Sequence, residues 1–190
     1  MKHLFLEIKY TGEMDFPEEL IKSLPTKLVL AGSIQYMNYF PKLKQFLEEN
    51  GKTVYMFHSR HGQYPGQILG CDIFKFKPKD EKTGEELEFD AFIYLGDGMF
   101  HPTALLFENG KDVHIYNPMS KVIEKLDKEL LVSIQKKKMG MLSKFIVSKN
   151  IGVLVTSKPG QNQSRAVNHF RKEMNGKGKN IFFLSVRSDY

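Results

Sequence analysis

Two hydrophobic rhythms take turns along this chain, one suited to strands and one to helices. His3 to Tyr10 reads as a strand and Pro17 to Leu24 as a short helix. Lys27 to Ala31 carries the run Leu28, Val29 and Leu30, which suits a strand buried on both faces. Tyr36 to Asn50 then places Tyr36, Tyr39, Phe40, Leu43, Phe46 and Leu47 at helical spacing, and Asn50-Gly51 closes that helix. Thr53 to Phe57 predicts another strand, followed by a loop rich in glycine and proline from Ser59 to Gly70 that leads to Cys71. Asp72 to Lys77 alternates well enough for a short strand, whereas Pro78 to Phe89 is polar, contains Lys82-Thr83-Gly84 and predicts an exposed loop. Ala91 to Leu95 is a strand ending in Gly96-Asp97-Gly98, with a helix over His101 to Glu108 behind it. Val113 to Tyr116 is a further strand, and Leu126 to Ser148 a long helix with Gly140 as its weak point. Ile151 to Val155, Ser164 to Met174 and Ile181 to Val186 predict strand, helix and strand.

Strands that alternate with helices point to the α/β class, with a mainly parallel sheet flanked by helices. The expected organisation is an α/β domain over residues 1–125, a connecting helix over 126–150 and a partial α/β unit over 151–190. That last unit holds too little apolar surface for an independent fold. Its complement is expected from a partner chain, from further sequence after Tyr190 or from a second copy.

Composition narrows the class. Hydrophobic residues at 41% beside charged residues at 26% are ordinary for a globular protein and argue against disorder. No apolar run approaches the ~18 residues of a membrane span. Glu7 and Lys9 would interrupt the apolar core of a signal peptide, so the chain is read as cytoplasmic. The 28 basic against 22 acidic side chains give +6, which suits an acidic or phosphorylated partner. The cation clusters at 136–138 and 172–179 read as solvated faces, and nucleic-acid binding is not expected. The single cysteine, Cys71, excludes an internal disulfide and any metal site built only from this chain's thiolates.

Chemistry should gather in three loops that follow strands, because ligands of open α/β sheets sit at the carboxyl ends of the strands. The first runs from Tyr64 to Cys71, where Gly66 and Gly70 allow close backbone approach to a lone thiol; on residue type alone Cys71 is either a packed structural cysteine or a reactive one. The second is Leu95 to Pro102. Its glycines leave room for a ligand beside Asp97, and the helix behind it offers free N–H groups, although Asp97 could equally cap the turn and His101 simply begin the helix. The third, Thr156 to Gln163, places Lys158 among several amides and could hold an anion, but lacks the spacing of a Walker loop. No HExxH, CxxC or GxSxG motif occurs, which removes support for zinc proteolysis, thiol redox and serine hydrolysis. His58 and His61 near Cys71 permit a Cys/His nucleophile but supply no fixed acid partner.

PGQILGC at 65–71, FDAFIYLGDGMFHP at 89–102, HIYNP at 114–118 and VLVTSKPGQNQ at 153–163, in this order, resemble the diphthamide synthase family. The resemblance runs over nearly the whole chain. It implies transfer of a 3-amino-3-carboxypropyl group from S-adenosylmethionine to a histidine of translation elongation factor 2 by radical chemistry at a [4Fe-4S] cluster. It also implies three related α/β domains around that cluster, each giving one cysteine. Residues 1–125 resemble the middle domain and 151–190 the start of the third, so Cys71 would be one iron ligand and the other ligands would come from a second polypeptide or another copy.

By the same resemblance Gly66, Gln67 and Gly70 shape the cysteine loop. Gly96, Asp97 and Gly98 line the S-adenosylmethionine pocket, with Asp97 facing the substrate ammonium and His101 nearby. Lys158, Gly160 and Gln161 would meet the carboxylate or ribose. One thiolate cannot hold a four-iron cluster, so the isolated chain is not expected to be active. The competing readings are a non-catalytic accessory or binding module that kept the fold and a phosphate- or nucleic-acid-binding α/β protein.

Overall fold

The computed structural model describes residues 6–59, 62–69, 75–79, 83–156 and 164–186. Its chain divides into two compact units, residues 1–132 and 133–190.

In the first unit, helix α1 (Glu18–Ser23) precedes strand β1 (Lys27–Gly32), and a 3-10 turn over Ile34–Tyr39 runs into helix α2 (Phe40–Glu49). Pro41 explains that break: it lacks an N–H and is tolerated only in a first helical turn, so the α-helix begins at Phe40 and the preceding turn winds tighter. Strands β2 (Thr53–Tyr55) and β3 (Ala91–Leu95), helix α3 (Phe100–Asn109), strands β4 (Asp112–Asn117) and β5 (Val122–Lys125) follow, and helix α4 (Glu129–Val147) leads out of the unit.

The sheet order is β2-β1-β3-β4-β5, parallel except for the antiparallel edge strand β5. Alternate residues serve opposite faces. Leu28, Leu30, Ala91, Ile93 and Leu95 join the core under α1 and α2, while Val29, Ala31, Phe92, Tyr94, Val113 and Ile115 join the core under α3. The chain leaves β1 through α2 for one neighbour, β2, and returns on the other side of β1 as β3, so the strand order reverses between β1 and β3. The carboxyl ends of those two strands form the topological switch point, where open α/β sheets bind their ligands.

In the second unit, β6 (Asn150–Thr156) and β7 (Asn180–Val186) pair in parallel across α5 (Ser164–Met174). Lys179 donates to the carbonyls of Phe145, Ile146 and Ser148, satisfying acceptors left open where α4 ends. No helix among the described residues is long and apolar enough to cross a membrane.

The mainly parallel sheet flanked by helices is as the sequence predicts, with three differences. Residues 6–10 are not a strand: Leu6 and Ile8 are exposed, and the segment instead straps the domain through Tyr10 N–H to Gln35 O at 2.8 Å and a Glu7, Lys9 and Tyr64 cluster. Lys75 to Lys77 is not a strand either, because Phe76 leaves any ladder to pack among Phe57, Phe89 and Phe92. The third is β5, an exposed edge strand that the pattern did not predict.

Candidate functional site

Two of the three predicted loops meet at the end of β1. Gly32 pairs with Leu95 of β3 on one side and bridges to Gln67 on the other, donating to Gly66 O at 3.0 Å while its own carbonyl accepts from Ile68 N–H at 3.0 Å. The segment from Gly66 to Ile68 therefore continues the sheet beyond the end of β2. Gly66 has φ +81 and faces Phe40, so its missing side chain is required for both conformation and space.

Gln67 is buried and its amide oxygen accepts from the N–H groups of Gln63 and Tyr64, at 2.7 and 3.2 Å. It closes the loop upon itself. Gly70 and Cys71 lie outside the described residues, as do His61 and, in the second unit, Lys158, Gly160 and Gln161.

After β3, Gly96 donates to Tyr116 O at 3.1 Å and is buried, whereas Asp97 and Gly98 are exposed. Gly98 adopts φ +71 and turns the chain into α3. His101 is half-buried and lies nearly parallel to the Tyr94 ring, with centroids 6.5 Å apart. Burial lowers its pKa, and the Asp97 carboxylate opposes that shift without cancelling it, so the imidazole is neutral at pH 7. Asp97 forms no ion pair with any described lysine or arginine.

Near this turn lie three side chains to which the sequence assigned no chemical role. Ser33 follows β1, Tyr36 rises from the α2 side, and Tyr94 comes from the α3 side. Their hydroxyl oxygens are buried and have no hydrogen-bond partner in the protein. Burial pushes the Tyr36 and Tyr94 hydroxyls to higher pKa, and the nearby Asp97 charge pushes both further. The Ser33 hydroxyl lies near that of Tyr94 and opposes the rise more than the Asp97 charge adds to it, although the two oxygens fall outside hydrogen-bond geometry. The signal that could have found these residues is the turn after the buried Leu28-Val29-Leu30-Ala31 run, which is also a strand-to-helix loop at the carboxyl edge.

The switch point thus carries an exposed carboxylate, a neutral imidazole and three buried hydroxyls. The family model for diphthamide synthesis proteins matches residues 1–188. The chain belongs to this family. A 2-(3-amino-3-carboxypropyl)histidine synthase of Methanocaldococcus jannaschii is 33% identical over 57% of this chain and 29% of that protein. The synthase of the same name from Pyrococcus horikoshii is 28% identical over 74% of this chain and 38% of its own length. The chain thus spans about a third of these relatives. Dph2 from Pyrococcus horikoshii, solved with a 4Fe-4S cluster, shares the fold with a TM-score of 0.73 at 22% identity, over 91% of this chain and 48% of that one.

A cluster of that kind needs several thiolates, and this sequence contains one cysteine. Among the described residues no group of three His, Cys, Asp or Glu side chains is placed to hold a metal ion.

Proposed function

We propose that this chain is a component of a diphthamide synthase that modifies a histidine of translation elongation factor 2 with the 3-amino-3-carboxypropyl group of S-adenosylmethionine. Residues 1–125 serve as its middle domain, 126–150 as a connecting helix and 151–190 as the start of a third domain. Cys71 gives one iron ligand, with the other thiolates supplied from outside these 190 residues. The bound cluster would supply the electron that breaks the sulfonium bond; this chain's own part is to bind and orient the aminocarboxypropyl donor.

The observation that carries the proposal is the family match over nearly the whole chain together with an open carboxylate at the switch point. Asp97 is placed to pair with the donor's ammonium, Gly96 and Gly98 let the donor approach the backbone, and neutral His101 adds no competing positive charge. Gly66 and Gln67 hold the loop that leads toward Cys71 against β1, and Gly70, Lys158, Gly160 and Gln161 are carried over from the family resemblance as further cofactor-binding residues. The soluble cytoplasm, where the elongation factor works, is the compartment this requires.

Native mass spectrometry of the protein purified without oxygen from its own source tests this. A complex with added thiolate ligands and the mass of four irons and four sulfides supports the proposal. A bare chain that binds no S-adenosylmethionine, alone or with candidate partners, overturns it in favour of a binding module that kept the fold.

A further inference from the structure

We infer that the hydroxyls of Ser33, Tyr36 and Tyr94 form, with Asp97, an ammonium-binding cage for the amino-acid end of the donor. This rests on the proposed function and adds three binding residues to it.

A buried hydroxyl without a partner is costly, and such groups are rare in folded proteins. Here three occur together. Tyr36 and Tyr94 are fully buried, and they come from opposite faces of the sheet to the carboxyl end of β1 and β3. Register places Tyr94 beside Ala31, one residue before Gly32 and two before Ser33. The Tyr10 ring packs on Tyr36 at 6.0 Å, and the backbone at Gly96 lies against the Tyr94 hydroxyl, so the cover over the cage is the N-terminal strap and the glycine turn.

Charge decides which ligand fits. Asp97 is the formal charge facing the group, His101 is neutral, and Lys9 is held by Glu7 and Tyr64 instead. Burial keeps both phenols un-ionised, so each oxygen can accept a hydrogen bond. A carboxylate with hydroxyl acceptors around it matches the three N–H donors of an alkyl-ammonium. An anion would meet the repulsion of Asp97.

The test compares S-adenosylmethionine with 5′-methylthioadenosine, which lacks the amino-acid end, by calorimetric titration of the full protein and of Tyr94→Phe, Tyr36→Phe and Ser33→Ala variants. The expected result is a loss of about tenfold or more in affinity for S-adenosylmethionine per hydroxyl removed, with methylthioadenosine unchanged. The unliganded variants should melt at or above the parent temperature, because each loses an unpartnered polar atom rather than a structural bond. Lower melting temperatures with unchanged affinities would mean that the hydroxyls serve internal structure, overturning the cage while leaving the proposed function intact. Failure of the parent protein to bind either compound would overturn both. A variant that does not fold also counts against the cage, since it shows the hydroxyl to be structural.

Discussion

Tyr94 occupies the space that a side chain at Gly96 would need: a β-carbon on Gly96 would stand 2.7 Å from ring atom Cε1 and 2.9 Å from the hydroxyl oxygen. The tyrosine thus explains the glycine two residues later. Gly96→Ala should cost about 1–3 kcal/mol by forcing the ring or the turn aside. Gly98 differs, since a β-carbon there meets nothing within 4 Å and only its φ of +71 resists substitution, so Gly98→Ala should cost about 1–2 kcal/mol. Urea unfolding checks the pair. Tyr94→Ala is itself strongly destabilising, but in its background the added cost of Gly96→Ala should shrink while that of Gly98→Ala stays the same.

Asp112 opens β4 and accepts from Lys125 at 2.8 Å and Lys128 at 2.7 Å, which joins β4, β5 and the approach to α4. These two ammonium groups hold its carboxyl down at about 2. The unfolded value is ~3.9, so the pairs stabilise the fold fully above that pH and lose their effect as pH falls toward 2. Because both lysines are exposed, solvent screening leaves on the order of 1 kcal/mol. Asp112→Asn should lower stability by about that amount at pH 7. Unfolding curves of parent and variant should converge near pH 2, and molar salt should shrink the difference at pH 7.

The sheet was legible because its buried strands are short apolar runs between glycine and proline punctuation: Leu28 to Ala31 and Ala91 to Leu95 have no other stable use. Strand β5 was not, because Val122-Ile-Glu-Lys is an exposed edge whose pairing with His114 to Asn117 depends on the partner strand rather than on its own pattern. The glycine loops were legible as chemistry. Tyr36 and Tyr94 were not: one reads as part of a helical stripe and the other as strand core, and only the pairing of β3 with β1 brings both to the same edge of the sheet.

Gln67 commits its amide oxygen to the backbone of the loop that the family resemblance expects it to shape. Gln67→Leu keeps similar bulk and leaves the N–H groups of Gln63 and Tyr64 without that acceptor. The expected cost is about 1–3 kcal/mol. Hydrogen exchange offers the sharper readout: those two amides should lose protection while Leu30 and Ile93 in the sheet keep theirs.

Phe40 packs where the loop that leads toward Cys71 meets the sheet. A β-carbon on Gly66 would stand 2.5 Å from Phe40 Cε2, and one on Gly32 would stand 2.8 Å from its Cζ, so the ring fits between two bare backbones. Gly66→Ala faces both this ring and a φ of +81, and should cost about 3 kcal/mol or more as the two penalties combine. Phe40→Leu alone should cost about 1 kcal/mol, since it is still a bulky apolar residue. In the double variant the smaller side chain yields to the new methyl group, so the total should fall below the sum by about 1 kcal/mol or more, within the range of contacting pairs. The backbone penalty at residue 66 should remain. Additive losses would show that the ring does not set the loop's position. A coupled loss, accompanied by less iron per chain in the assembled complex, would tie the seating of Phe40 to the cysteine that follows the loop.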